Sequence, residues 1–176
     1  MDNAAIDVQE LKEILADIIS EDRRAGEVIK RLRSLLKRGE ARLEVVSVNG
    51  VIQDVLRLTH SDLLVRGVEI RTELGDGLPA VQGDGVQLQQ VLLNLILNGC
   101  DAMEALPAHE RLLRIATWTE GMVVRLAVTD VGCGLPEGEA DRVFQPFFTT
   151  KPQGLGIGLA ITRAIVEAHR GRLWTE

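Results

Sequence analysis

Between Gln90 and Met103 a run of aliphatic side chains is broken by Asn94 and Asn98. No other stretch restricts the fold as much. The run predicts a helix from about Asp84 to Leu106, and residues four apart share one helical face. Asparagine is a poor interior helix former, and a buried amide needs a partner. Two side-chain amides on one face can bind a cation through oxygen or donate to phosphate. The same pair also fits two structural asparagines bonded to backbone, and the helix alone does not decide between them.

The next polar interruption is Asp130. In the stretch from Val124 to Asp130, strand alternation puts Val124, Leu126, Val128 and Asp130 on one face, the apolar one. A carboxylate aimed toward the core at a strand end needs a donor. An exocyclic amine such as that of adenine would satisfy it, and so would the amides of its own turn. Gly132 and Gly134 follow, and glycine permits close backbone approach.

A third segment runs from Phe144 through Pro146, Phe147, Phe148, Thr149, Thr150 and Lys151 to Gly154, Leu155, Gly156 and Gly158, directly into a predicted helix at about 157–169. Unpaired amides at a helix start, with the positive dipole end, favour phosphate. Lys151, Thr149 and Thr150 can add donors. The segment lacks the GK[ST] of a P-loop. It lacks the dinucleotide fingerprint too, since its spacing is GxGxG with no strand immediately before it.

The remaining pattern frames these segments. A second amphipathic helix is expected at about 49–65, burying Val51, Ile52, Val55, Leu56 and Leu58. Strands are expected at 68–74 and 80–82, as a hairpin at 112–119 and 122–129 turning at Glu120-Gly121, and beginning again at Arg172. This order predicts an α/β (α+β) fold, a two-layer sandwich of a mixed β-sheet and helices. Ahead of it, Leu11, Leu15, Ile18, Asp22, Ala25, Ile29, Leu32 and Leu36 follow steps of four and three and all but Asp22 are apolar, fitting a long helix that packs along a partner helix or docks on its own domain.

Composition excludes several functions. The chain of 176 residues carries a formal net charge of −6, with 3% aromatic residues and no Tyr. That argues against nucleic acid as a partner, because neither a basic surface nor a stacking platform is available. No apolar run approaches the roughly 18 residues of a membrane span, so no membrane contact is expected in this segment. The first residues lack a signal peptide's pattern. Two cysteines, Cys100 and Cys133, without a CxxC pair, point to neither a disulfide framework nor zinc. A cytoplasmic location follows, with a membrane anchor allowed for in a longer parent protein.

In this order, Asn-x3-Asn, Asp-x-Gly-x-Gly, Phe-x-Pro-Phe and Gly-x-Gly-x-Gly-Leu resemble the N, G1, F and G2 boxes of the ATP-binding catalytic domain of sensor histidine kinases, members of the GHKL ATPase superfamily. The details lean toward the nitrogen-regulation and oxygen-sensing branches. The resemblance implies two regions. Residues 1–42 would be the second helix of a dimerisation and histidine-phosphotransfer hairpin, with 17–36 its core and its first helix absent. Residues 43–176 would be the catalytic domain without its last strands.

It further implies ATP, ADP and Mg²⁺ as ligands, with Asn98 as metal ligand and Asn94 nearby. Asp130 would bond the adenine amine, and Gly132 and Gly134 would make room for the base. Thr150 and Lys151 would meet the phosphates from a lid, with Gly154, Leu155, Gly156 and Gly158 cradling them. Asp101 belongs to the same site, although many relatives carry Lys there, and Gln90 supplies no base. The implied partners are a response regulator and the acceptor-helix histidine of the parent kinase, which acts as a homodimer. His60, His109 and His169 are expected to be structural or solvated, so the acceptor would come in trans. A nucleotide-responsive signalling module without transferase activity remains the alternative.

Overall fold

The structure, a computed structural model, describes residues 43–135, 138–151 and 154–175. The expected N-terminal dimerisation helix lies outside the described residues.

Strand β1 (Glu44–Val46) leads into helix α1 (Val48–Val65), whose start is capped by the Ser47 hydroxyl accepting from Gly50 N at 3.3 Å. Val51, Ile52, Val55, Thr59 and Leu63 are buried in steps of three and four. Leu58, expected on that face, is 76% exposed. Helical rotation carries it off the stripe, and Thr59 takes the buried place by donating its hydroxyl to Val55 O at 2.9 Å. Gly67, with φ +64°, lets the chain leave α1 and enter β2 (Glu69–Leu74).

A turn at 75–77 and strand β3 (Val81–Gly83) follow. Asp84 caps α2 (Gly85–Ala102), its carboxylate accepting from Val86 N and Gln87 N at 3.0 and 3.2 Å. The sequence pattern carried this helix four residues too far. Beyond Met103 the carbonyls of Glu104 and Leu106 accept from the Arg111 guanidinium instead, at 2.8 and 2.9 Å. Strands β4 (Leu112–Glu120) and β5 (Val123–Asp130) form the expected hairpin, and α3 (Gly158–Ala168) is the last helix.

The sheet order is β2-β4-β5, with β2 parallel and β5 antiparallel to β4, while β1 and β3 form a separate antiparallel pair. The mixed sheet packs one face on the helices. Leu113 and Ile115 of β4 meet Ile52 and Val55 of α1 and Leu92, Ile96 and Cys100 of α2 in a single aliphatic core. Polar residues such as Arg114 point the other way, reaching Glu73 at 3.5 Å. This is the two-layer sandwich expected. Residues 171–175 form no strand, contrary to expectation. A strand needs a ladder of backbone hydrogen bonds, and this segment is placed instead by the Trp174 ring, 5.0 Å from the Arg125 guanidinium on β5.

Candidate functional site

Helix α2 turns its aliphatic side to the core, leaving Asn94, Asn98 and Asp101 half-buried. The two asparagines, alike in sequence, divide. Asn94 Nδ2 donates weakly to Gly158 O and Thr162 Oγ1, at 3.4 and 3.5 Å, tying α2 to the first turn of α3. Asn98 forms no side-chain hydrogen bond among the described residues. Its amide oxygen is therefore open to a cation.

Asp130 ends β5 alongside α2. Its Oδ1 accepts from Gly132 N at 2.8 Å, which is the turn-capping role open to any such Asp, while Oδ2 has no partner among the described residues. The helix approaches it closely because position 99 is glycine. A Cβ there would stand 2.6 Å from a Leu113 methyl and 3.4 Å from Asp130 Cβ. Gly99 was not among the expected site residues, although a glycine inside an aliphatic helix signals a packing reason.

Gly132 serves a similar end. A side chain there would sit 2.6 Å from Ala102 O, and the adjacent Cys133 N donates to that oxygen at 3.3 Å. The space freed by Gly132 is thus filled by α2. Gly134, with φ +68° and nothing within 4 Å of its Cβ position, faces open space.

The lid segment is pinned at its base, where Phe147 N donates to Gly156 O at 2.9 Å. Phe147 and Gly156 both take left-handed backbone, at φ +67° and +64°. Thr149 Oγ1 accepts from Lys151 N at 3.1 Å, and the exposed Thr150 has no side-chain partner among the described residues. Lys151 Nζ donates to Asp101 Oδ2 at 2.8 Å, and Arg66 donates to the other oxygen at 3.1 Å. Gly154 and Leu155 lead past Gly156 to Gly158, which opens α3. Unlike α1 and α2, α3 has no side-chain cap, so its first amides point outward without a side-chain acceptor.

Asn98, Asp130 Oδ2 and these amides are open, whereas Asp101 is paired with both Lys151 and Arg66. Between Asn98 and Asp101, burial pushes the Cys100 thiol up, keeping it neutral. Among the described residues no three His, Cys, Asp or Glu side chains cluster as metal ligands. A cavity between α3 and residues 171–175, lined in part by Asp141, Phe144, Arg163, Glu167 and Trp174, includes none of Asn98, Asp101, Asp130 and Lys151.

The histidines stand as expected. His60 is exposed, and His109 is exposed beside Glu110 at 3.5 Å. His169 is structural, with Nε2 accepting from Asp84 N at 2.9 Å and Nδ1 facing Ile165 O at 2.7 Å. No helix of the described residues is long and apolar enough to cross a membrane.

Residues 83–176 match the family model described as histidine kinase-, DNA gyrase B- and HSP90-like ATPase. The chain is 35% identical to the sensor histidine kinase TmoS of Ectopseudomonas mendocina over 176 residues, covering 99% of this chain and 18% of that protein. It is 38% identical to the sensor protein FixL of Bradyrhizobium diazoefficiens over 153 residues, 87% of this chain and 30% of FixL. The chain thus spans less than a third of either relative. Among solved structures, the catalytic domain of histidine kinase ThkA superposes with a TM-score of 0.67 at 32% identity, covering 77% of this chain and 87% of that one. ThkA in complex with the response regulator TrrA gives a TM-score of 0.80 at 26% identity, over 99% and 49% of the two chains.

Proposed function

The chain belongs to the histidine kinase-type ATPase family, as the ATP-binding catalytic region of a sensor histidine kinase, and we propose that it delivers the ATP γ-phosphoryl group to a histidine on the acceptor helix of the parent kinase. One observation carries the assignment of the site. Among the described residues, Asp130 Oδ2 and the Asn98 amide are without partners and the α3 amides without a side-chain cap, all along the C-terminal half of α2.

Asp130 Oδ2 accepts from the exocyclic amine of adenine while Gly132 N fixes the carboxylate through Oδ1. Gly134 leaves the mouth of that pocket open. The first amides of α3, with the backbone of Gly154, Leu155, Gly156 and Gly158, donate to phosphate oxygens. Thr150 and Lys151 close on the phosphates from the lid. Asn98 would hold a hard cation such as Mg²⁺ through its amide oxygen, and the ion would supply positive charge beside the phosphates. Asn94 holds α3 against α2 and acts on the site by position. Transfer is then mainly orientation and electrostatic stabilisation.

The parent kinase, on this reading, is a homodimer that passes its phosphoryl group to a response regulator. The apolar stripe of residues 11–36 and the likeness to the ThkA complex support those two parts. A nucleotide sensor without transfer is disfavoured, because TmoS and ThkA are histidine kinases.

Adding ADP with Mg²⁺ should raise the melting temperature, and Asp130→Asn should remove most of that rise. Loss of the acceptor leaves the amine unsatisfied, a cost of about 1–3 kcal/mol in binding. An unchanged melting temperature with every adenine nucleotide would refute the reading. Labelled ATP mixed with this chain and a separate acceptor-helix fragment then distinguishes kinase from sensor, since only a kinase labels the fragment.

A further inference from the structure

Lys151 is the only lysine or arginine of the lid stretch from Phe147 to Gly158, and it is already bonded to the body of the domain. Its Nζ lies 2.8 Å from Asp101 Oδ2 on α2. The other oxygen of the same carboxylate lies 3.1 Å from Arg66 NH1, at the end of α1. Asp101 therefore holds two cations at once, one from the lid and one from the helix behind. Asp101 is three residues beyond Asn98, so the two side chains are neighbours on the helix surface, about 5–6 Å apart at Cβ.

The backbone of Arg66 is itself fixed. Arg111 NH1 donates to Arg66 O at 2.6 Å, and the other Arg111 nitrogens donate to Glu104 O and Leu106 O just beyond α2. One guanidinium thus joins the end of α1 to the segment following α2. The result is a chain of contacts from the rigid core to the lid: Arg111, Arg66, Asp101, Lys151.

Two physical consequences follow. An unrestrained lysine loses rotamer entropy when it binds a phosphate, and a lysine already held at the site has lost part of it beforehand. An ammonium carries three donors, so one bond to Asp101 leaves two for phosphate oxygens. The sign of the local charge matters as well. Asp101 with Lys151 alone sums to zero, and its carboxylate would offset the attraction of the lysine for phosphate. With Arg66 present the cluster carries one net positive charge.

We propose that Arg66 is a positioning residue of the nucleotide site, holding and neutralising Asp101 so that Asp101 can present the Lys151 ammonium to the nucleotide phosphates. The inference rests on the nucleotide-binding reading above. It reverses the simple expectation for an acidic residue beside a phosphate site, because Asp101 helps binding through its two cations.

The test compares ADP with adenosine, both with Mg²⁺, by calorimetric titration of the whole 176-residue chain. The variants are Arg66→Met, Arg66→Lys and Asp101→Asn. Arg66→Met should weaken ADP about three- to tenfold, as expected for a partly exposed charged network, and leave adenosine within about twofold. Arg66→Lys should restore most of the ADP affinity, and Asp101→Asn should lose as much as Arg66→Met. Equal weakening of both ligands by Arg66→Met would mark a merely structural arginine and overturn the proposal. So would unchanged ADP affinity, or tighter ADP binding by Asp101→Asn, which would make Asp101 a competitor for Lys151. If Asp101→Asn does not fold, the two Arg66 variants still decide, since Arg66 lies exposed at a helix end. Failure of the wild-type chain to bind either ligand would instead refute the nucleotide site itself.

Discussion

Gly132 and Gly134 look equivalent in the sequence, yet they have different neighbours. A methyl group at 132 would run into the backbone of Ala102, whereas one at 134 would meet nothing. Gly132→Ala should therefore cost about 1–3 kcal/mol through forced displacement of the loop from α2. Gly134→Ala should cost about 1–2 kcal/mol, from left-handed backbone alone. Thermal melting without nucleotide measures both, and nucleotide titration should show Gly132→Ala also weakening ADP, because the loop carries Asp130. The cysteines separate in the same way. Cys133 is exposed and Cys100 is buried, so a thiol reagent should label Cys133 quickly and Cys100 only on unfolding. Burial raises the Cys100 thiol's pKa above its unfolded value. Its contribution to stability is thus fully present below the ordinary thiol pKa of about 8.5 and is lost as pH rises through the folded value. Chemical denaturation between about pH 7 and 10 should show that decline, and Cys100→Ala should flatten it.

At the scale of elements, α2 is both the middle of the core and the floor of the site. Asn94 spends its amide on α3, and Asn98 keeps its own. Asn94→Ala should lower stability by about 1 kcal/mol, limited by the length of its two bonds. Asn98→Ala should leave melting of the ligand-free chain nearly unchanged and remove the dependence of ADP affinity on Mg²⁺. Titrations with and without the metal read this directly, and equal metal dependence in the variant would exclude Asn98 as ligand. The four-residue overrun of α2 in the sequence reading has a similar origin. Periodicity alone continues to Leu106, because nothing local reveals that Arg111 will take the carbonyls of Glu104 and Leu106.

At the scale of the molecule, Arg111 joins α1, the segment after α2 and the start of β4. Its three backbone acceptors lie partly in solvent, so Arg111→Met should cost about 2 kcal/mol, discounted from the value for buried charged hydrogen bonds. Denaturant unfolding gives the number, and a loss under about 0.5 kcal/mol would show that water replaces the guanidinium well. Much of the architecture was legible beforehand. Aliphatic periodicity and turn residues determined three helices, the hairpin and the mixed two-layer arrangement, because burial of one face per element is a local property of the pattern. The order of Asn98, Asp130 and the glycine lid likewise pointed to the ATPase family that residues 83–176 match. Tertiary structure alone decided which asparagine is structural, which glycine packs on Ala102, and that residues 172–175 form no strand. It also decided that Asp101 pairs with Arg66 and Lys151, 35 and 50 residues away in the chain. Those outcomes depend on which polar groups meet across sequence-distant elements, and periodicity carries no information about such partners.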